Sequence, residues 1–153
     1  MEIDFLETLA MTVFYSWPEE SVILCFGLIF LHHPVKFKKV VPYGIILGTV
    51  TMATRNFLPF GMHAVILIFG MVMVFGLAYK TPWIKSLLAA LTAVVIALLP
   101  ITAYSFIISS IGIHSFDDMS LMMNLITAWG ELSGLILTCL LFYWVRNYYA
   151  KKH

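Results

Sequence analysis

Glu19, Glu20 and Glu131 each stand inside a long apolar stretch, where a carboxylate is costly to hold. An ionisable group in such a place either uses its charge or loses it. Used, it makes a proton path, a cation or solute site, or one half of a buried pair. Lost, it is a protonated carboxyl bonded to a neighbouring helix, which costs little once neutral. Glu131 lies in Ala128-Trp129-Gly130-Glu131-Leu132-Ser133-Gly134, well inside its run. Glu19 and Glu20 follow Trp17-Pro18, and acids after a proline also suit the first turn of a helix. If only one of that pair faces a bundle interior, Glu19 is the one expected. Arg55, in Thr54-Arg55-Asn56-Phe57, either sits at headgroup level or pairs with Glu19 or Glu20. Asn124 is either interhelical glue or part of an outward-facing polar pocket. Glu19, Glu20, Arg55, Asn124 and Glu131 are therefore the candidate ligand-binding or signal-sensing residues.

Other chemistry is poorly represented. His32 and His33 are adjacent and precede Pro34, His63 and His114 fall near the ends of apolar runs, and His153 is terminal. With no H-x-x-x-H spacing, neither a metal site nor a cofactor is expected. Cys25 and Cys139 are isolated within apolar runs and read as packing thiols. Phosphate-cradling, H-E-x-x-H and G-x-S-x-G patterns do not occur. No catalytic residue is expected, and the chain is not read as an enzyme.

The elements that must position these residues are set by composition. The 153 residues are 61% apolar and only 11% charged, with a mean hydropathy of +0.96. A soluble domain usually carries about 25% charged residues. Lipid must be the main solvent, and a net charge of +1 gives no reason to expect nucleic acid. A spanning helix needs about 20 mostly apolar residues. Five runs qualify: 3–31, 40–58, 61–79, 84–111 and 121–145. Their separators, His32-His33-Pro34, Pro59-Phe60-Gly61, Lys80-Thr81-Pro82 and Asp117-Asp118, carry turn chemistry. The fold class predicted is all-α, a single polytopic membrane domain over 1–153. The first run would be about 43 Å long as one helix. Pro18 should kink or break it, leaving either one long kinked span or a surface helix followed by a crossing. Gly44 with Gly48, and Gly130 with Gly134, are small-xxx-small patterns that let helices approach closely, within one bundle or between two protomers.

Orientation follows from the bases. Eight of the nine (Lys36, Lys38, Lys39, Lys80, Lys85, Arg146, Lys151 and Lys152) fall on one side of the alternating spans, and only Arg55 falls on the other. Cytoplasmic loops retain Lys and Arg, so the N-terminus is expected outside and the C-terminus inside the cell membrane. The acidic start Met1-Glu2-Ile3-Asp4 is unlike a cleaved signal. Trp83, Tyr143, Trp144 and Tyr148 fit the inner headgroup belt.

The order of these features resembles the N-terminal membrane sensor region of Firmicute sensor histidine kinases with a GHKL-type ATP-binding domain. The likeness runs through Pro18-Glu19, the short basic first loop, Pro59-Phe60-Gly61-Met62-His63, and Lys80-Thr81-Pro82-Trp83-Ile84-Lys85-Ser86-Leu87. It covers nearly the whole chain. It implies a bacterial domain that perceives a signal in or near the membrane and passes a helix movement through its last span. Neither a phosphoacceptor helix nor ATP-binding motifs follow Tyr148–His153, so kinase chemistry is not expected of these residues. The resemblance further implies a homodimer and a cytoplasmic signalling partner. Two other readings stand beside it: a small-solute or ion carrier, or its binding subunit, using the intramembrane carboxylates, and a structural or accessory membrane subunit.

Overall fold

The computed structural model describes residues 5–58, 62–110 and 121–150. Among the described residues it is all-helical, in five segments: α1 (Phe5–Phe30), α2 (Phe37–Phe57), α3 (Met62–Ala78), α4 (Trp83–Ser110) and α5 (Leu121–Ala150). Three stretches, Phe5–Phe30, Trp83–Tyr104 and Asn124–Tyr148, are long and apolar enough to cross a membrane. α3 is apolar but shorter. α2 has the length, but Lys38, Lys39, Arg55 and its threonines make it more polar.

Pro18 does not break α1. The helix widens into a π turn over Thr12–Ser16, and the Trp17 N–H donates to Thr12 O five residues back. Proline has no N–H, and its ring crowds the carbonyl of the preceding turn. A wide turn just before Pro18 relieves that clash while the apolar run continues to Phe30. The far end closes with the left-handed residue His32 (φ 59°), where glycine is more usual. His33 N–H donates to Leu28 O and His32 N–H to Ile29 O, the two bonds of a Schellman stop. Pro34 then prevents continuation. α5 runs five residues past the expected end at 145, to Ala150. The turns expected at Pro59-Phe60-Gly61 and Asp117-Asp118 lie outside the described residues, as do His114 and His153.

α1 is the centre of the packing and touches α2, α4 and α5. Leu24, Phe26 and Leu28 of α1 meet Leu47 of α2, Met71 and Phe75 of α3, the alanines Ala89, Ala90, Ala93 and Ala97 of α4, and Leu135 of α5 in one core. The alanine stripe lets α4 lie close. The outer faces stay apolar: Leu87, Leu88, Leu91, Val95 and Leu98 of α4 and Leu137, Leu140 and Leu141 of α5 are exposed. An apolar exterior around an apolar core is the pattern of a helix assembly solvated by lipid.

Two registers position the polar residues. α1 and α2 are antiparallel: Ser16 Oγ donates to Gly48 O at 2.9 Å, and Gly44 lies against Ser21. α1 and α5 are parallel and keep one register over their length. Glu7 meets Asn124, Tyr15 meets Glu131, Phe26 meets Phe142, and Ile29 meets Arg146. At the end where α1 stops, His33 Nε2 lies 3.3 Å from Thr81 Oγ1, and Arg146 Nη1 donates to Ile29 O at 3.4 Å. Lys36, Lys38, Lys39, Lys80 and Lys85 belong to the segments that gather at this same end.

Candidate functional site

The polar residues of the opposite half meet where α1, α2 and α5 touch. Tyr15 and Glu19 are four apart on α1 and share a face of the helix. The Tyr15 hydroxyl lies 3.1 Å from Glu19 Oε1 and 2.9 Å from Glu131 Oε2 on α5. A phenol has one proton to donate. It can serve one carboxylate at a time, and the second bond is complete only when that carboxyl is protonated and donates to the phenol oxygen. The trio therefore needs a proton beyond the hydroxyl's own when both bonds are made, and that proton has two carboxyls to choose between.

Arg55 of α2 approaches from the other side, with Nη2 3.5 Å from Glu19 Oε2. Helical side chains lean toward their own N-terminus. Because α1 and α2 are antiparallel, Glu19 leans toward the Arg55 end of the bundle and Arg55 leans inward, so the two meet. The guanidinium side is 34% exposed and the carboxylate side 3%. Arg55 is thus the point where the cluster opens outward.

Glu20 is the most enclosed of the acids, at 1% exposure, and Thr51 of α2 is equally buried. None of Glu20 Oε1 and Oε2, Thr51 Oγ1 and Glu19 Oε2 completes a well-formed hydrogen bond with a described residue, although Thr51 stands beside Glu20 and Arg55 beside Glu19. Glu20 lies within electrostatic reach of Glu19 and Arg55 and beside Thr51.

In comparisons with protein-family models, curated proteins and solved structures, nothing matches this chain. What the site can do rests on its own geometry.

Of the five residues singled out by sequence, Glu19, Arg55 and Glu131 come together through Tyr15, and Glu20 lies against them. Burial does not separate Glu19 from Glu20: both face the interior. Asn124 is apart, two turns nearer the start of α1, where its Nδ2 donates to Glu7 Oε1 at 3.2 Å. The packing glycines are used inside the chain. Gly44 and Gly48 face Ser21 and Ser16 of α1, and Gly130 and Gly134 face Tyr104 and Pro100 of α4. Tyr15 and Thr51 are the residues that sequence reading passes over. The Tyr15–Glu19 spacing was the available signal for the first. Thr51 had none, since a threonine in an apolar helix commonly bonds its own backbone.

Proposed function

We propose that this is a membrane-embedded sensing domain in which the ionic state of the Glu19–Tyr15–Glu131–Arg55 cluster sets the position of α5 against α1. The carrying observation is the Tyr15 hydroxyl bridging Glu19 on the first helix and Glu131 on the last. Moving one proton, or placing a charge beside Glu19, exchanges which carboxyl the phenol serves and changes the attraction between the helices. α5 is held to α1 a second time, by Arg146 on the Ile29 carbonyl. A change at Glu131 is thereby delivered to the basic end of the bundle. In this reading the chain makes five spans with the N-terminus outside and the C-terminus inside, which puts Arg55 toward the outer side and the α5 terminus where a cytoplasmic partner would meet it. A homodimer would use exposed apolar faces, the glycine faces being occupied.

The test places spin labels at the basic ends of α4 and α5, Ile84→Cys and Trp144→Cys, with Cys25→Ser and Cys139→Ser, in lipid vesicles. The label distance is expected to shift between pH 5 and pH 8, and Glu131→Gln should remove the shift. A distance unchanged by pH and by Glu131→Gln would end the proposal. One observation favours the carrier alternative, the enclosed Glu20 within electrostatic reach of a partly exposed Arg55. It predicts solute or ion uptake into vesicles that depends on Glu131 and Glu20.

A further inference from the structure

The Tyr15 bridge and the Arg55 pair leave one acid of this region unaccounted for. Glu20 is 1% exposed, and neither of its carboxylate oxygens completes a well-formed hydrogen bond among the described residues, although the Thr51 hydroxyl lies beside it. Thr51, also 1% exposed, stands on the facing helix with its hydroxyl beside the Glu20 carboxyl and completes no well-formed hydrogen bond among the described residues. Glu19 Oε2 is the fourth such oxygen, touched only by the guanidinium at 3.5 Å. A buried carboxylate whose hydrogen bonds are incomplete and whose counter-charge is shared with a second acid is costly to hold.

The charges facing Glu20 decide what is missing. On its own helix there is Glu19. From α2 come Arg55 and the hydroxyl of Thr51. α4 presents Ser86 and alanines to the core, and α3 presents Leu67, Met71 and Phe75. Glu131 and Tyr15 are joined to Glu19 by the bridge and also lie within electrostatic reach of Arg55. His63, at the start of α3, lies near enough to Arg55 for their charges to interact. Three carboxylates, with one proton shared by the pair that Tyr15 bridges, against one guanidinium leave a single negative charge. A monovalent cation cancels it, whereas a divalent ion would overshoot. The donors are carboxylate and hydroxyl oxygens, the hard ligands suited to an alkali or alkaline-earth ion. No three His, Cys, Asp or Glu side chains converge as a metal group among the described residues, which also sets this apart from a transition-metal centre.

We infer that Glu20, Thr51 and Glu19 form a binding site for a monovalent alkali cation, taken up in exchange for a proton on Glu20. The cation sits between α1 and α2, one turn of helix from the Tyr15 bridge, and is reached past Arg55. This deepens the sensing reading by naming its ligand, and it rests on that reading only for what binding would move. The exchange balances: Glu20 releases one proton as one cation enters, so the charge of the site is constant.

The full chain, purified in detergent, is melted in a series of sodium chloride concentrations against choline chloride at equal ionic strength, at pH 6 and pH 8. Sodium is expected to raise the melting temperature. Its midpoint concentration should be about tenfold higher for each unit by which pH is lowered through the exchange range. Glu20→Gln should abolish the sodium response. If that variant does not purify as a single species, Thr51→Val is read in its place and should weaken sodium about tenfold. Equal melting in sodium and choline at pH 8 overturns the inference, as does a sodium response that survives Glu20→Gln unchanged. Melting reports binding whether or not α5 moves, so a failure here leaves the coupling of α5 to the label-distance experiment.

Discussion

Arg55 contacts Glu19 although Glu20 is the next residue along α1, and the reason is directional. Side chains on antiparallel helices lean toward opposite ends, so a long base that lies beyond its partner in the register can fold back to reach it. The energy of that contact is limited by the exposed guanidinium. Glu19→Gln and Arg55→Gln should each lower stability by about 1–3 kcal/mol, as expected when a partner of a buried polar group is removed. The double variant should recover about 1 kcal/mol of the sum, well below a fully buried pair. Denaturant unfolding of the four proteins in detergent measures this. Strict additivity would mean that the 3.5 Å contact is not an energetic pair. At this scale the sequence pointed to the acids and the base because charge in an apolar run is conspicuous. Tyr15 was hidden by its type: an aromatic inside an apolar run is ordinary, and its role exists only because Glu131 comes to the same place.

The helices owe their close approach to the absence of side chains at particular turns. A Cβ on Gly48 would stand 2.8 Å from Ser16 O, a backbone atom that cannot step aside. On Gly134 it would meet Pro100 Cβ at 3.4 Å, an ordinary contact. Gly48→Ala is therefore expected to cost roughly 1–3 kcal/mol by forcing α1 from α2, while Gly134→Ala should stay within about 0.5 kcal/mol of the parent. Melting temperatures of the two variants compare them directly. Equal effects would show that the α1–α2 distance is not set at Gly48. Both small-xxx-small motifs were legible in the sequence. Which helix each one meets was not, because the spacing of two glycines describes one face of one helix and nothing opposite it. Pro18 is the reverse case. Its chemistry foretells a disturbed turn, but the local widening at Thr12–Ser16 absorbs it and the helix continues.

Across the whole molecule the two ends differ in charge, and that difference is what predicts sidedness. The proposed five-span path would place Phe5 and Lys80 on opposite faces of the membrane, three crossings apart. In vesicles of known orientation, with Cys25 and Cys139 replaced by serine, Phe5→Cys should react with an impermeant thiol reagent from outside. Lys80→Cys should react only after permeabilisation. The reverse pattern would invert the topology, and labelling of both from one side would break the count of spans. The described structure agrees with an alternating path: α1 is antiparallel to α2 and parallel to α5, and the loops bearing His33 and Thr81 meet at one end.

By itself the sequence determined the all-helical fold and the presence of helices long and apolar enough to cross a membrane, because apolar runs and prolines act locally along the chain. It also marked the few residues whose burial would need a reason. Only the tertiary structure decided which of those residues share a site. Glu19 and Glu131 are separated by more than a hundred positions and are joined by the parallel register of the first and last helices. Glu20 and Thr51 face one another because Gly44 and Gly48 draw α2 onto α1. Asn124 carries the same kind of sequence signal but falls beside Glu7 instead. Register and closeness belong to pairs of helices, and a pair is not written in either member alone.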